Sequence, residues 1–171
     1  MEAIITVATV AAMYMNLAGS PVENGYNYNA RINGGKVEQI SVYAKNEGML
    51  SNKLQYDYVY DEAGRLAVQV AKTWNSSRNR WENYYELNYN YDETGYSLVR
   101  CDYNKRTGKF DKHVGKYTYE MLDGNVMAVN SYRWDKNCND YAMVDNILVM
   151  NPTPDVLYAQ ADFENMLMGG K

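Results

Sequence analysis

The chain has one histidine, two cysteines, two phenylalanines and three prolines among 171 residues, and each scarcity removes an explanation. With a single histidine, His113, and two scattered cysteines, Cys101 and Cys138, no zinc site of the usual four-ligand kind can be built. A Ser-His-Asp or Cys-His arrangement would have to use His113, which sits in Phe110-Asp-Lys-His-Val-Gly. Neither a Gly-x-Ser-x-Gly elbow nor a Gly-x-x-x-x-Gly-Lys phosphate loop occurs. His113 therefore reads as a sheet-face residue, no catalytic set is assigned, and no cofactor or metal is implied. Two cysteines make no disulfide framework. Cys101 falls inside a predicted strand and Cys138 in a later loop, so both are expected to be unpaired.

Basic charge is also short. A formal net charge of -4 implies that no basic stripe is available to release counterions from a phosphate backbone, so nucleic acid is not an expected partner. Long apolar runs are missing too. Residues 4–15 are apolar apart from Thr6 and Thr9, too short for a comfortable membrane span. The run fits the h-region of a secretory signal, with Ala18-Gly19-Ser20 after it. Glu2 in place of a basic n-region and Pro21 beside the small-residue triplet count against that reading. The alternative is an N-terminal strand or helix packed on the rest of the fold. The expected organisation is a leader or apolar segment over 1–20 and one domain over 21–171. No cysteine closely follows the run, so lipid attachment is not expected there.

What is abundant is tyrosine, 18 residues, a side chain suited to half-wet strands because its ring is apolar and its hydroxyl needs a partner. The tyrosines are patterned. Tyr-x-Tyr-Asx begins at Tyr26, Tyr58 and Tyr89, with a degenerate copy at Tyr117-Thr-Tyr-Glu120. Turn glycines Gly35, Gly64, Gly95 and Gly124 follow, separated by 29, 31 and 29 residues. In Asp61-Glu-Ala-Gly64 and Asp92-Glu-Thr-Gly95, Asp is placed to accept a backbone hydrogen bond from two residues on. Gly is placed where a turn and bulge need φ > 0. The paired carboxylates Asp61/Glu62 and Asp92/Glu93 could be read as a cation site, but they lack the further oxygen ligands that calcium takes.

At the other end of the unit, Tyr43 and Leu50, Trp74 and Trp81, Tyr103 and Phe110, and Trp134 and Tyr141 each stand seven residues apart around a polar loop. A fixed period near 30 residues marks a repeat architecture, here two strands to the unit. Alternation is strong: Trp81, Tyr85, Leu87, Tyr89 and Tyr91 share one parity against Glu82, Glu86, Asn88 and Asn90. Leu54, Tyr56, Tyr58 and Tyr60, and Leu66, Val68, Val70 and Trp74, read as similar faces. Strands are predicted at 26–32, 36–44, 52–61, 65–74, 81–92, 96–103, 110–121, 125–134 and 140–150. Joined by short turns, they form an all-β antiparallel meander, a single twisted sheet or a partly closed barrel. Pro154-Asp155 with Val156, Ala159, Phe163 and Leu167 predicts a short capped helix at about 155–168, lying against the sheet or its edge.

Tyr58-Val-Tyr-Asp-Glu-Ala-Gly-Arg-Leu66 resembles the Tyr-Asp repeat of Rhs- and teneurin-type proteins, closely at Tyr60, Asp61, Gly64, Arg65 and Leu66 and in part at Tyr91, Asp92 and Gly95, where Tyr96 replaces Arg. The unit here is longer than that family's, and four units are too few for its large shell. Residues 26–150 are also similar to small secreted proteins of unknown function from gut Bacteroidetes. That resemblance implies export from a bacterial cell and a β-fold, and brings no catalytic residues.

Two function classes follow. In the first, Trp74, Trp81, Tyr103, Phe110, Trp134 and Tyr141 gather along one rim of an in-register meander. They could stack on sugars or grip a partner protein, or merely staple the loops and cap the core. This makes a non-catalytic binding or scaffold module with a carbohydrate or protein ligand. The alternative is a small-molecule-binding or hydrolytic barrel lined by Tyr58, Tyr89 and Tyr117, with strand carboxylates Glu82, Glu86, Asp102 and Glu120 as candidates for the two acids that glycoside hydrolysis needs. An outer-membrane barrel is disfavoured because neither face offers a continuous aliphatic band.

Overall fold

In the computed structural model, residues 4–19, 25–122 and 125–150 are described. Helix α1 (Val7–Gly19) precedes nine strands: β1 (Tyr26–Asn33), β2 (Lys36–Asn46), β3 (Met49–Tyr60), β4 (Leu66–Asn75), β5 (Arg80–Tyr91), β6 (Gly95–Asn104), β7 (Lys109–Met121), β8 (Val126–Asp135) and β9 (Asp140–Met150). They form one antiparallel sheet in sequence order, and β1 does not pair with β9. The meander is open. The expected C-terminal helix and the turn at Gly124 lie outside the described residues. No helix among the described residues is long and apolar enough to cross a membrane.

One face carries the core. Register places Tyr56 opposite Ala71 and Ala71 opposite Tyr85, while Tyr91, Tyr96 and Tyr119 run side by side across β5, β6 and β7. The Tyr96 and Tyr119 rings stack at 4.5 Å. Tyr58 and Tyr89 are themselves buried in this cluster, and the barrel reading is corrected because the sheet does not close: β1 and β9 are its two unpaired edges. Helix α1 seats Val10 and Met13 on the same side but touches chiefly β1 and β2. Burial on this face extends as far as Met127.

The N-terminal segment is fastened at both levels. Thr6 caps α1, its Oγ1 accepting from the Thr9 N–H at 3.3 Å while its own N–H donates to Thr9 Oγ1 at 3.2 Å. The carbonyl of Ile5 accepts from Leu66 N at 2.8 Å and from the Tyr91 hydroxyl at 3.2 Å. At the other edge, β9 leaves Met143, Val144, Ile147 and Leu148 exposed.

Bulges decide which residues share a face, and here two sequence expectations fail. A register shift between Val59 and Tyr60 puts Gln69 and Ala71, in place of Val68 and Val70, beneath the tyrosines. Gln69 is 1% exposed. A second shift between Ala71 and Lys72 turns Trp74 and Trp81 to the face opposite Tyr85 and Leu87. A one-residue insertion flips everything beyond it, and alternation counted along a single strand cannot detect one.

The glycine turns divide as well. Gly64 has φ +75 as expected, and Asp61 accepts from the backbone N–H and Nε of Arg65 at 2.8 and 2.7 Å. Asp92 accepts from the Thr94 N–H at 2.8 Å, two residues on. Gly95 is not in the left-handed region. It is glycine because a Cβ there would sit 1.9 Å from the carbonyl oxygen of Tyr119.

Candidate functional site

Three of the four loops at one end of the sheet close alike. Asn75, Asn104 and Asp135 each accept a backbone N–H through their side chain, from Arg78 at 3.0 Å, Arg106 at 3.0 Å and Asn137 at 2.8 Å. Asn79, Gly108 and Asn139 then take positive φ to complete the turn. That geometry sets the residues just inside each loop directly opposite one another: Trp74 with Trp81, Tyr103 with Phe110, Trp134 with Tyr141. The pairs meet edge to face, with centroids 5.1, 5.2 and 4.9 Å apart, a favoured aromatic arrangement.

The fourth loop differs. Glu47 and Gly48 both have positive φ and make a two-residue primed turn. The shorter loop, with a register shift between Val42 and Tyr43, sets Tyr43 against Asn52 and Leu50 against Lys45. The expected Tyr43/Leu50 pair does not form.

By register, all six predicted rings lie on the face opposite the tyrosine core, at one end, each half-buried. His113 joins them, which sequence spacing did not suggest. Its ring stacks on Trp134 at 4.5 Å, and its Nδ1 lies 3.0 Å from the Tyr141 hydroxyl and 3.6 Å from Cys101 Sγ. The sheet thus brings together a cysteine and a histidine that are remote in sequence, as cross-strand partners. Burial pushes the Cys101 thiol up, and the carboxylates of Glu86, Asp102 and Asp111 push it the same way. An activated nucleophile needs the reverse. Cys101 and Cys138 are both free thiols.

Three of the four strand carboxylates, Glu82, Glu86 and Asp102, are already engaged. Glu86 accepts from Asn88 at 3.0 Å and Asp102 from Arg100 at 3.0 Å. Burial works against the Glu82 charge, but Lys105 and Asn75 outweigh it and hold the carboxyl below its ordinary range. Arg78 and Arg80 also reach Glu82, at 3.2 and 3.4 Å. Around this carboxylate, between the β4–β5 and β6–β7 loops, lies an open depression of about 380 Å³ lined in part by Trp81, Tyr103, Arg78, Arg80 and Lys105. Its basic character was concealed by the net charge of the chain; counting charge loop by loop would have revealed it. Among the described residues no group of three or more His, Cys, Asp or Glu is placed to hold a metal.

An open antiparallel meander, with one face packed by tyrosines and the other edged by paired aromatic rings, defines the class of fold. The sequence pattern of DUF3836, a family of unknown function, matches residues 1–121, and the chain belongs to that family. The crystal structure of a protein with unknown function from Bacteroides fragilis NCTC 9343 is similar, with TM-score 0.65 and 27% identity over 75% of this chain and 96% of that one. DUF3836 proteins from Bacteroides vulgatus ATCC 8482 and Parabacteroides distasonis ATCC 8503 match at TM-scores 0.40 and 0.39, with 21% and 19% identity. They cover 74% of this chain in each case, and 99% and 90% of their own. A search of curated proteins gives no match. None of these findings concerns Rhs- or teneurin-type repeats, so that likeness is confined to the turn residues themselves.

Proposed function

We propose that this protein is a non-catalytic binding module, built from tandem hairpin units, that works in the bacterial envelope or outside the cell and takes a carbohydrate or protein ligand on its aromatic rim. The observation that carries the reading is the placement of three edge-to-face ring pairs at one end of one face, each half-exposed. Core demand does not explain them, because the core lies on the other face. Flat rings held rigid by cross-strand pairing offer apolar area with little entropy left to lose on binding. The raised Cys101 thiol supports a non-catalytic role. The likeness of residues 26–150 to small secreted proteins supports export, whereas the run at 4–15 seats Ile5 and Val10 in the core, as a packed N-terminal segment would.

A glycan array on the whole chain tests the ligand. Binding that is lost in Trp74→Ala and Trp81→Ala supports a sugar module, and a blank array together with a stable protein complex through the same rings supports the protein arm. Binding insensitive to every rim substitution overturns the reading. Export is tested by the mass of the protein recovered from the native cell. An N-terminus beyond residue 20 in the envelope or medium supports it, and an intact chain in the cytosol contradicts it.

A further inference from the structure

Charge is distributed unevenly among the rim loops. Residues 75–83 carry Arg78 and Arg80 against Glu82, and residues 103–110 carry Lys105, Arg106 and Lys109 with no acid at all. Five cations face two carboxylates there, Glu82 and the adjoining Asp111, the latter accepting from Thr107 at 2.7 Å, in a chain whose net charge is -4. The loop between Trp134 and Tyr141 has Asp135 and Asp140 against Lys136, and is acidic. The basic pair of loops is also the pair that encloses the depression.

Within the depression the cations outnumber what the protein gives them. Arg78, Arg80 and Lys105 all converge on Glu82 at 3.2 to 3.4 Å. Their side chains remain 63%, 61% and 79% exposed, whereas that of Glu82 is 14% exposed. One carboxylate cannot neutralise three cations, and its seclusion leaves their free N–H groups directed to solvent. Glu82 acts as a strut that gathers them. Trp81 and Tyr103 are among the residues that line the same depression. A space of about 380 Å³ falls in the lower range of small-ligand sites. It is confined to two hairpins, too local to track a nucleic-acid backbone.

We infer that the depression between the β4–β5 and β6–β7 loops binds an acidic sugar, its carboxylate or sulfate on Arg78, Arg80 and Lys105 and its body in the space that Trp81 and Tyr103 help to line. This rests on the binding-module reading and narrows it to an anionic glycan. Guanidinium groups suit both anions because they can donate two parallel hydrogen bonds.

Calorimetric titration of the whole chain with oligogalacturonate, a sulfated glycosaminoglycan fragment, a neutral xylo-oligosaccharide and a single-stranded DNA oligonucleotide tests it. The two acidic sugars distinguish carboxylate from sulfate. The expected result is binding of at least one acidic sugar, tenfold or more tighter than the neutral one and weakening as salt rises. Arg78→Ala with Arg80→Ala should lower that affinity at least tenfold, Lys136→Ala on the acidic loop should leave it unchanged, and Glu82→Gln should raise it several-fold. Circular dichroism on each variant confirms that the sheet is retained. Equal affinity for neutral and acidic sugars, or an unaffected arginine variant, overturns the inference and leaves the binding module standing. Tighter binding of the oligonucleotide overturns it too. If no sugar binds and a protein ligand is captured by the rim, the anionic-glycan inference falls and the protein arm of the parent reading survives.

Discussion

Gly95 lies so close to β7 that a Cβ in its place would meet the Tyr119 carbonyl oxygen at 1.9 Å and the carbonyl carbon at 3.0 Å. Backbone, unlike a flexible side chain, cannot give way there. Gly95→Ala is expected to cost about 3 kcal/mol as β6 and β7 are forced apart. Gly64→Ala meets only Val7 Cγ2 at 3.9 Å and suffers from its φ of +75 alone, which costs about 1 kcal/mol. Urea denaturation of the two variants checks the order, and a larger loss at Gly64 would contradict it.

Alkaline pH should unfold the chain from the tyrosine side. Burial pushes the Tyr56 phenol up to about 12 from its ordinary 10.0, and raises Tyr85 as well. The unfolded chain therefore loses these protons first, so the stability they provide is complete below pH 10 and drains away as pH climbs toward 12. For Tyr56 alone the loss is about 3 kcal/mol at most. At the acid end the sign reverses. Burial opposes the Asp57 charge, but Gln39 and Lys72 outweigh it and lower the carboxyl below 3.8. That stability is present above the ordinary carboxylate value and is lost as pH falls beneath it. Tyrosinate absorbance near 295 nm, followed beside circular dichroism, checks the alkaline limb; ionisation of every tyrosine without loss of the sheet would contradict it.

The two thiols should be distinguishable by reaction. Cys138 is exposed on a loop and Cys101 is buried at 5% exposure. A disulfide-exchange reagent should modify one sulfhydryl per native chain quickly, faster as pH rises because Asp135 pushes the Cys138 thiol up. The second should react on the timescale of local opening, and at once in denaturant. Equal rates in the native state would contradict the burial of Cys101.

Core truncation should separate polar from apolar burial. Gln69 is 1% exposed beneath the tyrosines, so Gln69→Ala opens a cavity and strips hydrogen bonds, at about 3 kcal/mol. Val68→Ala, on the face that the bulge turned outward, should cost about 1 kcal/mol. Thermal melts of the pair would contradict the register if Val68 proved the costlier site.

The strands were legible in sequence because each end carries its own chemistry. Asp61 and Asp92 announce one set of turns, and the aromatic pairs seven residues apart announce the other. The two-residue turn at Glu47-Gly48 was not legible, because Tyr43 and Leu50 mimic the spacing of the longer loops. Faces are legible only between bulges, so alternation alone groups Trp81 with Tyr85 and Val68 with Leu66, whereas the register shifts separate them. The proximity of His113 to Cys101 depends on pairing across β6 and β7, which no local pattern encodes. The basic depression was hidden by summing charge over the whole chain.

Tryptophan fluorescence of the whole chain, titrated with a glycan or partner taken from the array and capture experiments, tests the binding role of the rim most directly. The expected result is a saturable change that disappears in Trp81→Ala while the melting temperature falls by only a few degrees, in keeping with one lost edge-to-face pair of about 1 kcal/mol. A Trp81→Ala variant that binds normally, or that simply fails to fold while the loop-neutral Lys136→Ala binds nothing either, would make the rings structural staples and contradict the role proposed for them.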